Sequence, residues 1–262
     1  AFVSLKMVTY YGNYMMIIGK VVTVFALAIN NIGAGIGNLI AENKKENTLK
    51  VFWELSAIRY FIAGLVCFML FKHIETFIVL WLGVEYVLPK ETLLLMLIYI
   101  YINISQGAVD SFIYGFGVYA DTWSAWVELS LNLIITIFAG YCWGINGILL
   151  GKIISMSVFA IFWKPYYLFS TGFKESYIDY WKNTIRYHFV FITTAIFAEY
   201  CYNYLPHCYH ISYLFWISDC AVSLSTYLLI NIPLYIWLTP GSKDLLKRIN
   251  FHDGISKIFK RK

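Results

Sequence analysis

Seven apolar stretches, at about residues 11–40, 51–71, 92–114, 123–142, 146–167, 187–204 and 211–238, constrain this 262-residue chain more than any other feature. A helix rises about 1.5 Å per residue, so about 20 apolar residues cross a hydrocarbon core about 30 Å thick. The stretches meet or approach that length. They are too long and too continuously apolar for the roughly ten-residue alternating strands of a membrane barrel. Hydrophobic residues make up 60% of the sequence and charged residues 13%, too little polar surface for a soluble globule of this size. The sequence therefore predicts an all-α, polytopic transmembrane helix bundle of about seven spans. One domain covers residues 1–240, and a basic tail follows at 241–262. Disorder, a disulfide scaffold and a soluble enzyme are excluded.

Lysine and arginine set the orientation, because they concentrate in cytoplasmic flanks. Fourteen of the twenty lie on one side. Lys44, Lys45 and Lys50 follow the first stretch. Lys164, Lys174, Lys182 and Arg186 join the fifth to the sixth, and Lys243 to Lys262 fill the tail. The opposite side holds Lys6, Lys72 and Lys90. The basic side is assigned to the cytoplasm, although the turn GFGVYADTW, expected there too, carries no basic residue. The net charge of +5 is explained by these flanks and by anionic lipid head groups, with no nucleic acid needed. Seven crossings with the tail inside put residue 1 outside. No signal peptide precedes the first stretch, which is what a chain beginning partway through a longer protein shows. Residues 77–91, with Trp81, Tyr86 and Pro89, read as an interfacial turn on the outer surface. The tail pairs Leu245, Leu246, Ile249 and Phe251 with basic residues and reads as a segment lying on the inner surface.

Polar groups within apolar spans are costly and mark a cavity or a pathway. Asn13, Lys20 and Asn31 return to within about 20° of one direction at 100° per residue and share a face. Tyr99, Asn103, Gln106 and Asp110 form a second stripe. Ser124, Glu128 and Asn132 form a third, spread over about 80°. Two readings stand for these stripes, a hydrated cavity or hydrogen bonds between neighbouring helices. Arg59 is read either as pairing with Glu54, five residues before it, or as binding a ligand. Lys152 is a further cation within a span, and Glu199 and Asp219 receive no role. Gly144, Gly147, Gly151 and Ser155 make one smooth small-residue face, read as a seam for close helix packing.

Enzyme signatures are missing. There is no phosphate-binding Gly-rich loop followed by Lys-Ser/Thr, no nucleophile elbow and no HExxH pair. Cys201, His207, Cys208 and His210 cluster in sequence, but their spacing matches no ordinary zinc site. No cofactor, metal or catalytic residue is expected. A carrier is the class that fits.

Several motifs carry a family resemblance. YYGNYMMI at 10–17, GIGNLIAE at 35–42, VFWEL at 51–55 and WLGVEYVLP at 81–89 come first. ELSLNLIITI at 128–137, GINGILLGKIIS at 144–155 and WKPYYLF at 163–169 follow in the same order. Together they resemble the polysaccharide (O-antigen and capsule) flippases of the multidrug/oligosaccharidyl-lipid/polysaccharide exporter superfamily, over about residues 3–175. The resemblance implies one lobe, the C-terminal one, of a two-lobed flippase in a bacterial plasma membrane. An N-terminal lobe of the same chain would be its missing partner. It implies that the cargo is a lipid-linked oligosaccharide, moved between leaflets with membrane lipids around it. On that reading Lys20, Arg59 and Lys152 hold the pyrophosphate. Asn13, Asn31, Asn103, Gln106, Glu128 and Asn132 offer hydrogen bonds to sugar, and Asp110 and Glu128 are the carboxylates to examine for coupling. Lys152 departs from the family pattern, which has a small polar residue there. The alternatives are a multidrug/cation antiporter of the same superfamily, which needs acidic binding residues, and a non-transporting membrane subunit, whose polar stripes would leave no cavity.

Overall fold

The computed structural model describes residues 3–33, 35–42, 44–118, 121–204 and 212–248, the side chains at 28 and 30–33 excepted. All its regular structure is helical, and there is no strand among the described residues. The helices are α1 (Leu5–Gly33), α2 (Ile36–Ala41), α3 (Lys45–Trp81), α4 (Lys90–Ser105), α5 (Gly107–Phe116), α6 (Thr122–Met156), α7 (Lys164–Tyr167), α8 (Tyr177–Asn203) and α9 (Tyr213–Leu238). The all-α expectation is met.

Four helical stretches among the described residues are long and apolar enough to cross a membrane: Lys45–Trp81, Lys90–Phe116, Thr122–Phe173 and Tyr213–Leu238. That is fewer than the seven expected, and the reasons are local. The stretches expected at 123–142 and 146–167 belong to one apolar run of 52 residues. The run folds back on itself at Trp143 and Gly144, where Gly144 takes φ +56° and ψ −130°. A Cβ on Gly147 would stand 1.8 Å from the carbonyl oxygen of Ala139, and one on Gly151 would stand 2.4 Å from Thr136 Oγ1. Residues 15 apart in a straight helix lie about 22 Å apart, so only an antiparallel hairpin allows this contact. The small-residue face read from the sequence is the seam of that hairpin. Beyond α6 the second arm continues through two π-helical runs, Ser157–Trp163 and Leu168–Phe173, with α7 between them. Pro165 of α7 lacks the N–H that a regular α register needs.

The first and sixth expected spans correspond to α1 and α8, with 29 and 27 residues. α8 begins ten residues before the expected start and takes in Asp179, Lys182 and Arg186. These charges lower its apolarity. α3 also overruns its expected end at residue 71, continuing through Lys72, His73 and Glu75 to Trp81. The interfacial turn expected over 77–91 is thereby shortened to the residues around a single 3-10 turn, Val84–Tyr86, where Gly83 takes φ +111°.

α3 is the central helix, packing on α1, α2, α4, α5, α8 and α9. Its apolar residues run round the whole circumference, as a helix buried on all sides requires. Tyr14 and Ile18 of α1 close one core with Ala63, Val66 and Ile74 of α3 and Leu93, Met96 and Ile100 of α4. Phe52 centres a second core, with Phe112, Phe169 and Phe173 rings at 5.3 to 5.5 Å. α4 lies between α3 and α6, which sets the polar stripes of α4 and α6 on neighbouring elements.

The tail does not begin as a free surface segment. Gly241 (φ +74°) brings the backbone so close to α3 that a Cβ there would stand 2.3 Å from the Trp53 carbonyl group. Tyr187 donates its hydroxyl proton to the Pro240 carbonyl at 2.8 Å. Arg248 pairs with Glu54 at 2.9 Å and Lys50 with Asp244 at 3.2 Å. Ile249 and Phe251 lie outside the described residues.

Gly147→Ala is expected to lower stability by about 2–3 kcal/mol, because the contact it would make is with backbone that cannot move aside. Gly12→Ala, in α1 with open space around its Cα, should leave stability unchanged or raise it by under about 1 kcal/mol. Thermal unfolding of the detergent-solubilised protein measures both.

Candidate functional site

The polar stripes of α4, α5 and the first arm of α6 meet the cations of its second arm at two places. At the first, Lys164 Nζ lies 2.8 Å from Asp110 Oδ1. Glu128, half-buried, stands within electrostatic reach of both, and Arg59 of α3 is within reach of Asp110. Arg59 fills the space above Gly107, where a Cβ would stand 2.0 Å from Nη1. Its Nε is buried with no hydrogen-bond partner. The expected Arg59–Glu54 pair is not formed. Glu54 is turned the other way, to Arg248, and Arg59 takes the side facing α5.

At the second place Lys152 Nζ sits 4.0 Å from the centroid of the Tyr99 ring, a cation–π distance. Tyr11 of α1 is within electrostatic reach of the same ammonium. Lys152, Tyr11, Asn132 and Thr136 line a cavity of about 620 Å³. Thr136 donates its hydroxyl proton to Asn132 Oδ1 at 2.9 Å, which leaves the Asn132 amide protons unclaimed among the described residues. Lys152 makes no ion pair among the described residues, unlike Lys72 and Lys164. The cavity thus combines a cation without an ion pair among the described residues, the Asn132 amide and Tyr11, with the Tyr99 ring against the cation.

Not every expected residue belongs there. Gln106 is buried and satisfied at both ends, donating to Tyr60 Oη at 3.0 Å and accepting from Tyr180 Oη at 3.1 Å. It ties α3 to α8, the arrangement that hydrogen bonding between neighbouring helices describes. Asn103 is exposed, one helical turn from Tyr99 on the same face. Asn13 is half-buried and Lys20 exposed. Lys20 lies nine residues from Tyr11, which is about 180° around the helix. Its face therefore looks away from Lys152, and the structure does not bring these two cations together. The Asn31 side chain lies outside the described residues.

Three contributors escaped sequence reading. Lys164 reads in sequence as a cytoplasmic flanking charge, and only the α6 reversal returns it to Asp110 and Glu128. Tyr11 and Thr136 carried no signal beyond their place in apolar runs. Of the sequence cluster Cys201, His207, Cys208 and His210, only Cys201 is described, as an exposed free thiol. No group of three metal-ligating side chains is present among the described residues.

Asp110→Asn and Lys164→Met should each destabilise the detergent-solubilised protein, and the double variant should lose less than their sum. A coupling of about 1 kcal/mol is expected from a double-mutant cycle on a partly exposed pair.

Comparison with protein-family models, with curated proteins and with solved structures finds no match to this chain.

Proposed function

We propose that this protein is a membrane carrier lobe for a polyprenyl-pyrophosphate-linked oligosaccharide, moving it from the inner to the outer leaflet by alternating access. It performs no bond chemistry itself. The reading rests on one observation above the rest: Lys152 lines a cavity of about 620 Å³ with no carboxylate paired to it among the described residues. A half-buried cation without an ion-pair partner attracts an anion, and a diphosphate is an anion of the right kind. The free Asn132 amide and exposed Asn103 supply donors of the sort that sugar hydroxyls accept. The polyprenyl chain remains in the bilayer beside the apolar outer faces of α6. The motif resemblance and four apolar helical stretches, compatible with a multi-pass membrane protein, support the same reading. The basic flanks support a cytoplasmic tail, and a bacterial plasma membrane follows from the cargo.

Binding of a polyprenyl diphosphate and of the matching neutral polyprenol to the purified protein tests the proposal, read by native mass spectrometry. The diphosphate should bind preferentially, and Lys152→Ala should weaken it about tenfold, or about 1.4 kcal/mol, without affecting the polyprenol. Lys20→Ala should leave both unchanged. Equal retention of the two lipids, or an unaltered Lys152→Ala variant, overturns the proposal.

A further inference from the structure

A second group of ionisable side chains lies where α3, α8 and the first turns of α9 meet. His73 of α3 is buried between two residues of α9. Its Nε2 is 2.5 Å from Ser223 Oγ, and its Nδ1 is 3.5 Å from Asp219 Oδ2. Tyr202 of α8 donates its hydroxyl proton to the other Asp219 oxygen, Oδ1. Lys72 is held elsewhere, 2.5 Å from Glu199 and 3.7 Å from the centroid of the Tyr202 ring. The charged and titratable groups facing His73 are therefore Lys72 from α3, Glu199 and Tyr202 from α8, and Asp219 and Cys220 from α9. Among the described residues of α1, apolar Ile17, Val21 and Phe25 approach, across a cavity of about 400 Å³ that the His73 ring borders.

Ser223, His73 and Asp219 have the order of a hydrolytic triad, but the hydroxyl cannot serve as a nucleophile. Ser223 is wholly buried, and its Oγ lies 2.9 Å from the Asp219 carbonyl oxygen and 3.2 Å from that of Cys220. A helical serine placed this way gives its one proton to its own backbone. Ser223 Oγ is then an acceptor for His73, which assigns the ring proton to Nε2 and leaves Nδ1 with a lone pair. That lone pair faces a carboxylate. A made N–H···O bond to a carboxylate is about 2.7–2.9 Å long, so the 3.5 Å contact has room to close.

From this contact and the Ser223 anchor we infer that His73 and Asp219 form a proton-binding site joining α3 to α9, with Nδ1 as the atom that takes the proton. Protonation converts an acceptor–acceptor contact into an imidazolium–carboxylate pair and draws the start of α9 onto α3 beside the 400 Å³ cavity. The proton enters from the Asp219 side, because the Asp219 side chain is 40% exposed and that of His73 only 5%. Buried ionisable residues paired in this way inside a membrane bundle are the ordinary material of proton pathways. The inference rests on the α3–α8–α9 contacts alone, and is independent of the cargo proposed above.

Nitrogen NMR of ¹⁵N-histidine-labelled protein in lipid nanodiscs tests it, with His73→Gln identifying the His73 resonances. In the wild type the Nε2-protonated ring should gain a proton at Nδ1 as pH falls through the window of about 8 to 5 in which histidine titrates. Asp219→Asn keeps an acceptor for Tyr202 but removes the charge, and should lower the proton affinity of His73 at least about tenfold. Ser223→Ala should preserve the titration while releasing Nε2 from its fixed proton. A His73 ring that does not titrate in that window, or that titrates identically in Asp219→Asn, overturns the inference.

Discussion

The reversal of α6 at Gly144 decides where the cations of the second arm come to lie. Its left-handed backbone, followed by glycines at 147 and 151, lets the two arms touch backbone to backbone. The second arm then runs beside the first, so Lys152 returns to the level of Asn132 and Thr136, and Lys164 to that of Glu128. In an unbroken helix Lys164 would stand about 54 Å from Glu128. A side chain at either glycine would push the arms apart and open both polar clusters at once. The candidate site is thus a consequence of packing small residues, and its chemistry is borrowed from the hairpin's geometry.

Within an apolar bundle each polar group must find a partner or carry its desolvation cost. The clusters meet this requirement in different ways. Asp110 and Lys164 neutralise each other, as do Lys72 and Glu199. Gln106 bridges two tyrosines, and Asn231 donates to Thr194 at 3.2 Å. These groups stabilise helix contacts, although Asn231 Oδ1 stays buried without a hydrogen-bond partner among the described residues. Lys152, with no ion pair among the described residues, and the His73–Asp219 contact, at 3.5 Å, stay incomplete.

The sequence showed which residues share a helix face, because helical periodicity fixes relative angles within one element. It located the small-residue seam at Gly147 and Gly151, whereas the expected stripe of Tyr99, Asn103 and Asp110 is divided between α4 and α5, which meet at Gln106. It did not show the absolute direction of a face, which depends on the neighbour a helix packs against. Asn13 and Lys20 do share a face, but Tyr14 and Ile18 are what α1 turns toward α3, so the polar face points outward. Gln106 lies on the expected stripe, yet tyrosines from α3 and α8 reach it first. Span counting failed for a related reason. Apolar runs measure length, and the turn at Gly144 is set by two dihedral angles that hydropathy does not register.

His73, Asp219 and Tyr202 illustrate the limit further. Their separations in sequence, 146 residues from His73 to Asp219 and 17 from Tyr202 to Asp219, carry no periodic signal. They meet because α3 overruns its expected end and so carries Lys72 and His73 up to the first turns of α9. Had α3 stopped near residue 71, where the apolar run first weakens, His73 would have fallen in a loop and Asp219 would have faced only Tyr202. The polar residues that make α3 look finished are the ones that its extra turns bring into place. A break in hydropathy inside a membrane bundle is therefore ambiguous between the end of a span and the start of a site. Only the packing partners, here α8 and α9, decide between the two.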